Sequence, residues 1–179
     1  MMKKLVVISS SPRKDGNSET LAKEFIRGAM DAGNEAELIV LRDYDLKYCT
    51  GCYSCAKTGK CFMDDGMNEI SQKLIAADVI VFATPVYFYS MSGQLKVMID
   101  RLVPSYREMK ADIYMIATQY DNDKEIMEMT FDSIRGATKY CFNNCEEKGL
   151  IYGTELWEKK DASVREDYLE QAYNMGKKI

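Results

Sequence analysis

The 179-residue chain contains no histidine. That removes His-based nucleophile triads, imidazole metal ligands and the side chain whose charge ordinarily changes near neutral pH. Any catalysis has to run through another group, and a bound cofactor is the natural candidate. No apolar run approaches the roughly 20 residues that a membrane-spanning helix needs. After Met1-Met2-Lys3-Lys4 the apolar stretch is only Leu5-Val6-Val7-Ile8, closed at once by Ser9-Ser10-Ser11-Pro12-Arg13. It reads as a buried first strand of a cytoplasmic protein, too short for a signal peptide. Basic blocks are missing too, and the net charge of −4 gives no footing for nucleic acid, which needs clustered Lys and Arg. Neither Gly-x-Gly-x-x-Gly nor a Walker A run occurs, which disfavours a Rossmann dinucleotide fold and a P-loop NTPase. Internal repeats, linkers and low-complexity segments are also absent, so residues 1–179 read as one domain.

What is there is a packed globular composition, with 46% apolar and 29% charged residues. Such a chain buries a core without disulfide staples. Short apolar runs predict strands over 5–9, 37–41, 78–84, 113–117 and from 150 to 152. Between them, periodic segments predict helices over roughly 18–32, 67–77, from Gly93 onward, and over 124–143; a closing helix covers 163–177. The strict alternation of strand and helix implies a five-stranded parallel sheet between two helix layers.

In such a sheet, ligands sit beyond the carboxyl ends of the strands, where strand order reverses. Two loops belong there. Ser10–Thr20 joins the first strand to a helix N-terminus and carries Ser11, Arg13, Lys14, Gly16, Asn17 and Ser18. Free N–H groups, the helix dipole, hydroxyls and a guanidinium suit a phosphate; an ordinary turn capped by Asn17 or Ser18 is the alternative. The second loop, Thr84–Gly93, holds Tyr87, Phe88 and Tyr89 in succession. Three consecutive aromatics cannot all face one core, so a flat ligand or a partner subunit would cover some of them; a core-packed loop with one buried aromatic is the alternative.

Four of the six cysteines, Cys49, Cys52, Cys55 and Cys61, lie in one loop. Three readings stand side by side: a [4Fe–4S] cluster, whose ferredoxin runs share the first two spacings; a four-thiolate zinc site; and a metal-free loop. Cys141 and Cys145 read as buried residues one helical turn apart.

Taken together, the motifs are familiar. Ser11-Pro12-Arg13-Lys14-x-Gly16-Asn17-Ser18 resembles the phosphate loop of the NADPH-dependent FMN reductase superfamily. Thr84-Pro85-Val86-Tyr87-Phe88, followed by Ser90–Lys96 and Ile99-Asp100-Arg101, is similar to its flavin-ring loop and the next helix. The cysteine run with Asp64-Asp65 resembles the iron–sulfur flavoprotein branch. Two departures stand out: Ser10 replaces the usual glycine, and Gly66 separates Asp65 from Met67.

The resemblance implies a flavodoxin-like three-layer sandwich with strand order 2-1-3-4-5. It implies that Ser11, Arg13, Asn17 and Ser18 hold the FMN phosphate, and that Pro85, Val86, Tyr87, Phe88 and Tyr89 line the ring. Thr118, with Gln119 and Tyr120, would complete the rim, and Trp157 either packs or covers a neighbouring flavin. The implied activity is FMN-dependent oxidation of NAD(P)H, with a quinone, an aromatic compound or a protein as acceptor. The alternatives are an FMN/[4Fe–4S] carrier working with ferredoxin, with Cys49, Cys52, Cys55 and Cys61 as ligands, and a redox-sensing module. A homodimer or homotetramer is the expected assembly.

Overall fold

A computed structural model describes residues 1–179. The strands are β1 (Lys4–Ser9), β2 (Glu35–Val40), β3 (Val79–Pro85), β4 (Asp112–Thr118) and β5 (Glu146–Gly153). The helices are α1 (Asn17–Asp31), the one-turn α2 (Cys55–Thr58), α3 (Met67–Ile75), α4 (Gly93–Asp100), α5 (Lys124–Thr138) and α6 (Glu166–Lys177). The sheet runs β2-β1-β3-β4-β5 and every pairing is parallel. This is the flavodoxin-like order, and the chain leaves β1 for opposite sides of the sheet at β2 and β3.

Successive strand residues point to opposite faces, so each strand feeds two cores. Val6, Ile8, Ile80 and Phe82 pack under α3, α4 and α5 through Leu74, Leu95 and Phe131. Leu5, Val7, Val79 and Val81 pack under α1 and α6 through Leu21, Phe25 and Ala172. Strand β3 is buried along Val79–Thr84, which explains its unbroken apolar sequence. Helices α1 and α6 touch backbone to backbone. A Cβ at Gly28 would stand 2.0 Å from the Tyr173 carbonyl oxygen, and one at Gly176 would stand 2.0 Å from that of Phe25.

The predicted helix over 124–143 is too long, because α5 ends at Thr138. Asn144 turns the chain with φ 54°, and β5 then begins at Glu146, opposite Asp112 of β4. The expected strand start at 150 misses four residues because Glu146, Glu147 and Lys148 are charged and exposed on an edge strand. Cys141 and Cys145 are therefore not helix neighbours. Cys141 is exposed, and Cys145 sits just ahead of β5, half-buried. Burial pushes the Cys145 thiol pKa up.

Candidate functional site

The loops after β1 and β3 are tied together at the carboxyl edge of the sheet. Ser10 Oγ donates to the Ala83 carbonyl at 3.1 Å, so the serine that replaces the usual glycine fastens β1 to β3. Ser92 caps α4, accepting from Leu95 N–H, and its hydroxyl donates to the Ser10 carbonyl. Val86 N–H donates to the Thr118 carbonyl at 2.8 Å, and Gln119 N–H to that of Gly153 at 2.8 Å. The loops after four strands thereby form one rim.

Inside that rim lies an open cavity of about 190 Å³. Its wall holds Ser11, Arg13, Asn17 and Ser18 from the first loop, and Pro85, Val86 and Tyr87 from the second. Thr118, Gln119, Tyr120 and Trp157 close the far side. Eight of the ten expected cofactor residues meet here. Phe88 and Tyr89 do not. Tyr87 and Ser90 exchange two backbone hydrogen bonds across a tight turn, which leaves Phe88 fully exposed and Tyr89 nearly half exposed. Both turn residues are left-handed, with φ 49° and 56°, an unusual and strained conformation for bulky side chains.

The first loop carries donors of the kind a phosphate needs. No backbone carbonyl accepts from the N–H groups of Asn17, Ser18 or Glu19 at the start of α1, as expected of a helix N-terminus. Ser18 Oγ is buried with no partner, a costly state that an anionic oxygen at this loop would relieve. Arg13 uses Nη1 on the Trp157 carbonyl at 3.1 Å, and its guanidinium is otherwise uncommitted. The Asn17 side chain does not cap α1. It donates to the Glu158 carbonyl and accepts from Ala162 N–H, so it holds the loop after β5 in place and leaves its own N–H to the cavity. Behind the loop, Glu19 is buried and paired with Arg42 and Lys23. Burial works against its charge, but hydrogen bonds from Arg42 and Lys23 outweigh it and hold the carboxyl below the ordinary range.

Gln119 and Trp157 were the least legible members. Gln119 gives both amide hydrogens to the Asp121 and Asp123 carbonyls and keeps a buried, unpartnered Oε1. Trp157 is 62% exposed and packs edge-on against Tyr120, with ring centroids 5.3 Å apart, so it stands at the cavity mouth and not in the core. A lone glutamine after a strand and a lone tryptophan in a polar loop carry little signal by themselves.

A second cavity, of about 180 Å³, is lined by Cys49, Cys52, Cys55 and Cys61, together with Phe62, Met63, Val103 and Arg101. The loop around it is wound through left-handed Gly51, Tyr53 and Gly59. Asn68 clamps Cys61 by accepting from its N–H at 3.0 Å and donating to its carbonyl at 2.8 Å. No three of the metal-ligating side chains converge on one ion position. Four thiols, an apolar wall and a buried cation are a donor set that fits a cluster anion.

A cleft at the β1/β3 switch point of a 2-1-3-4-5 parallel sheet defines the flavodoxin-like class. Within that class the chain belongs to the NADPH-dependent FMN reductase family, whose pattern matches residues 3–126. It is 42% identical over 101 residues to an iron–sulfur flavoprotein of Methanocaldococcus jannaschii, covering 56% of this chain and 52% of that one. An iron–sulfur flavoprotein of Methanosarcina thermophila is 36% identical over 100 residues, 56% of this chain and 52% of the other. The chain spans about half the length of the curated relatives it matches. In fold it is similar to an NAD(P)H:quinone oxidoreductase from Methanothermobacter marburgensis, with TM-score 0.77 at 15% identity over 99% of this chain and 96% of that one.

Proposed function

We propose that the chain is an FMN-dependent oxidoreductase that oxidises NADH or NADPH and passes the two electrons to a quinone, another aromatic compound or a protein. One observation carries this reading: a single cavity gathers the hydroxyl-and-arginine loop and the Pro85–Tyr87 backbone at the edge where β1 and β3 part. FMN held in this cavity would supply the redox chemistry, two-electron transfer between a nicotinamide donor and the acceptor. The chain's residues bind and orient it. Ser11, Arg13, Ser18 and the Asn17 N–H hold the phosphate, and Pro85, Val86, Tyr87 and Thr118 support the ring. Tyr120 and Trp157 keep water from one side. Phe88 and Tyr89, outside the cavity, face the acceptor or a second copy of the chain in a cytoplasmic homodimer or homotetramer.

A second reading, an FMN/[4Fe–4S] carrier exchanging electrons with ferredoxin, is favoured by the four cysteines on one cavity wall. Anaerobically purified protein is expected to be coloured and to oxidise NADH or NADPH when FMN and an acceptor are supplied. A colourless protein that takes up no FMN from excess would overturn both readings. Ferredoxin-linked reduction without nicotinamide turnover would select the carrier.

A further inference from the structure

Arg101 follows α4 directly and is almost fully enclosed, its side chain 1% exposed, against 9% for Asp65. Nη1 and Nη2 bind the two Asp65 oxygens at 2.8 and 3.1 Å, and Nη1 also reaches the Lys47 carbonyl. Nε is buried without a partner. Arg101 shares the cavity wall with the four cysteines, whereas Asp65 does not line it. The ion pair thus presents its positive end to the thiols. The one other charged residue on that wall is Asp100, half-buried and already paired with Lys96.

We propose that Arg101 is the buried counter-charge of the group the four cysteines hold, and that the Arg101–Asp65 pair sets how readily that group accepts an electron. The proposal rests on the [4Fe–4S] reading above. A cluster ligated by four thiolates is an anion and becomes more negative on one-electron reduction, and its potential follows local charge and hydrogen bonding to the sulfurs. A fixed cation shielded from solvent, as the Arg101 side chain is, stabilises the added electron far more than an exposed lysine, which water and salt screen. Asp65 works in the opposite sense from further back, attenuating that cation. A tie that merely fastened the cysteine loop to α4 would have no such signed effect.

The experiment uses the full chain, purified anaerobically and reconstituted with ferrous iron and sulfide. The cluster midpoint is read by electron paramagnetic resonance during a mediated dithionite titration, and circular dichroism reports folding. Asp65→Asn leaves the guanidinium uncompensated, and its midpoint is expected to rise above wild type. The double variant Asp65→Asn/Arg101→Met removes both charges, and its midpoint is expected to fall below that of Asp65→Asn. Arg101→Lys keeps the charge and loses the fork, and its midpoint is expected near wild type. Unchanged midpoints, a double variant no lower than Asp65→Asn, or an Arg101→Lys midpoint as far below wild type as the double variant lies below Asp65→Asn would overturn the proposal. Wild-type protein that binds no iron or sulfide defeats the cluster reading itself, and the proposal with it. A loaded wild type with unmoved variants defeats the proposal alone.

Discussion

Ser18 illustrates how one hydroxyl separates binding from folding. Its Oγ is buried and finds no partner within the chain, so Ser18→Ala is expected to leave urea stability unchanged or slightly raised. A hydrogen bond to a charged group contributes about 1.5–3 kcal/mol, so the same change is expected to weaken FMN binding roughly 10- to 100-fold, read by quenching of flavin fluorescence. Unaltered affinity would remove Ser18 from the phosphate site. Two ion-paired carboxylates, Glu19 and Asp65, contribute to the acid limit. Burial opposes the charge of Asp65, but the Arg101 hydrogen bond and the Lys47 N–H hold its carboxyl below the ordinary range; Glu19 is held down by Arg42 and Lys23. Unfolded, both carboxyls bind protons near pH 4. Their contribution is therefore complete above that range and is lost as pH falls through the lowered native values. Urea midpoints measured from pH 7 down to 3 should decline below about pH 4, and less steeply in Asp65→Asn.

At the scale of elements, the turn after β3 is the clearest conflict between local preference and native structure. Two adjacent L-aromatics with positive φ occupy positions that a two-residue turn normally gives to Asn and Gly. Such backbone strain costs on the order of 1–3 kcal/mol per residue. Phe88→Asn/Tyr89→Gly is expected to raise the urea midpoint at constant slope while lowering turnover with a bulky acceptor. Equal turnover would make the exposed aromatics incidental to the acceptor. Much of the element pattern was legible: Val79–Ala83 is buried on both faces and could hardly be anything but a central strand. The end of α5 was not, because Tyr140-Cys141-Phe142 continues a helical period that the pairing of Asp112 with Glu146 overrides.

For the whole molecule, the two cavities share no lining residue. Loading of one should therefore be independent of the other. Cys55→Ala is expected to abolish iron uptake, measured by iron and sulfide analysis, while FMN affinity stays within twofold or so of wild type, well under the ~1.4 kcal/mol of a tenfold change. Joint loss would mean that the cysteine loop also supports the flavin pocket.

Local sequence alone determined the alternation of strands and helices, the two unusual loops and the cysteine run, because each is written in short-range pattern: period, turn residues and spacing. Only the tertiary structure decided which side chains stand together. Arg13 meets the Trp157 carbonyl across 144 positions, Arg101 meets Asp65 across 36, and Phe88 leaves the cavity through a backbone conformation its residue type disfavours. Such contacts follow from parallel crossovers that carry distant loops to one sheet edge, and no local period records them.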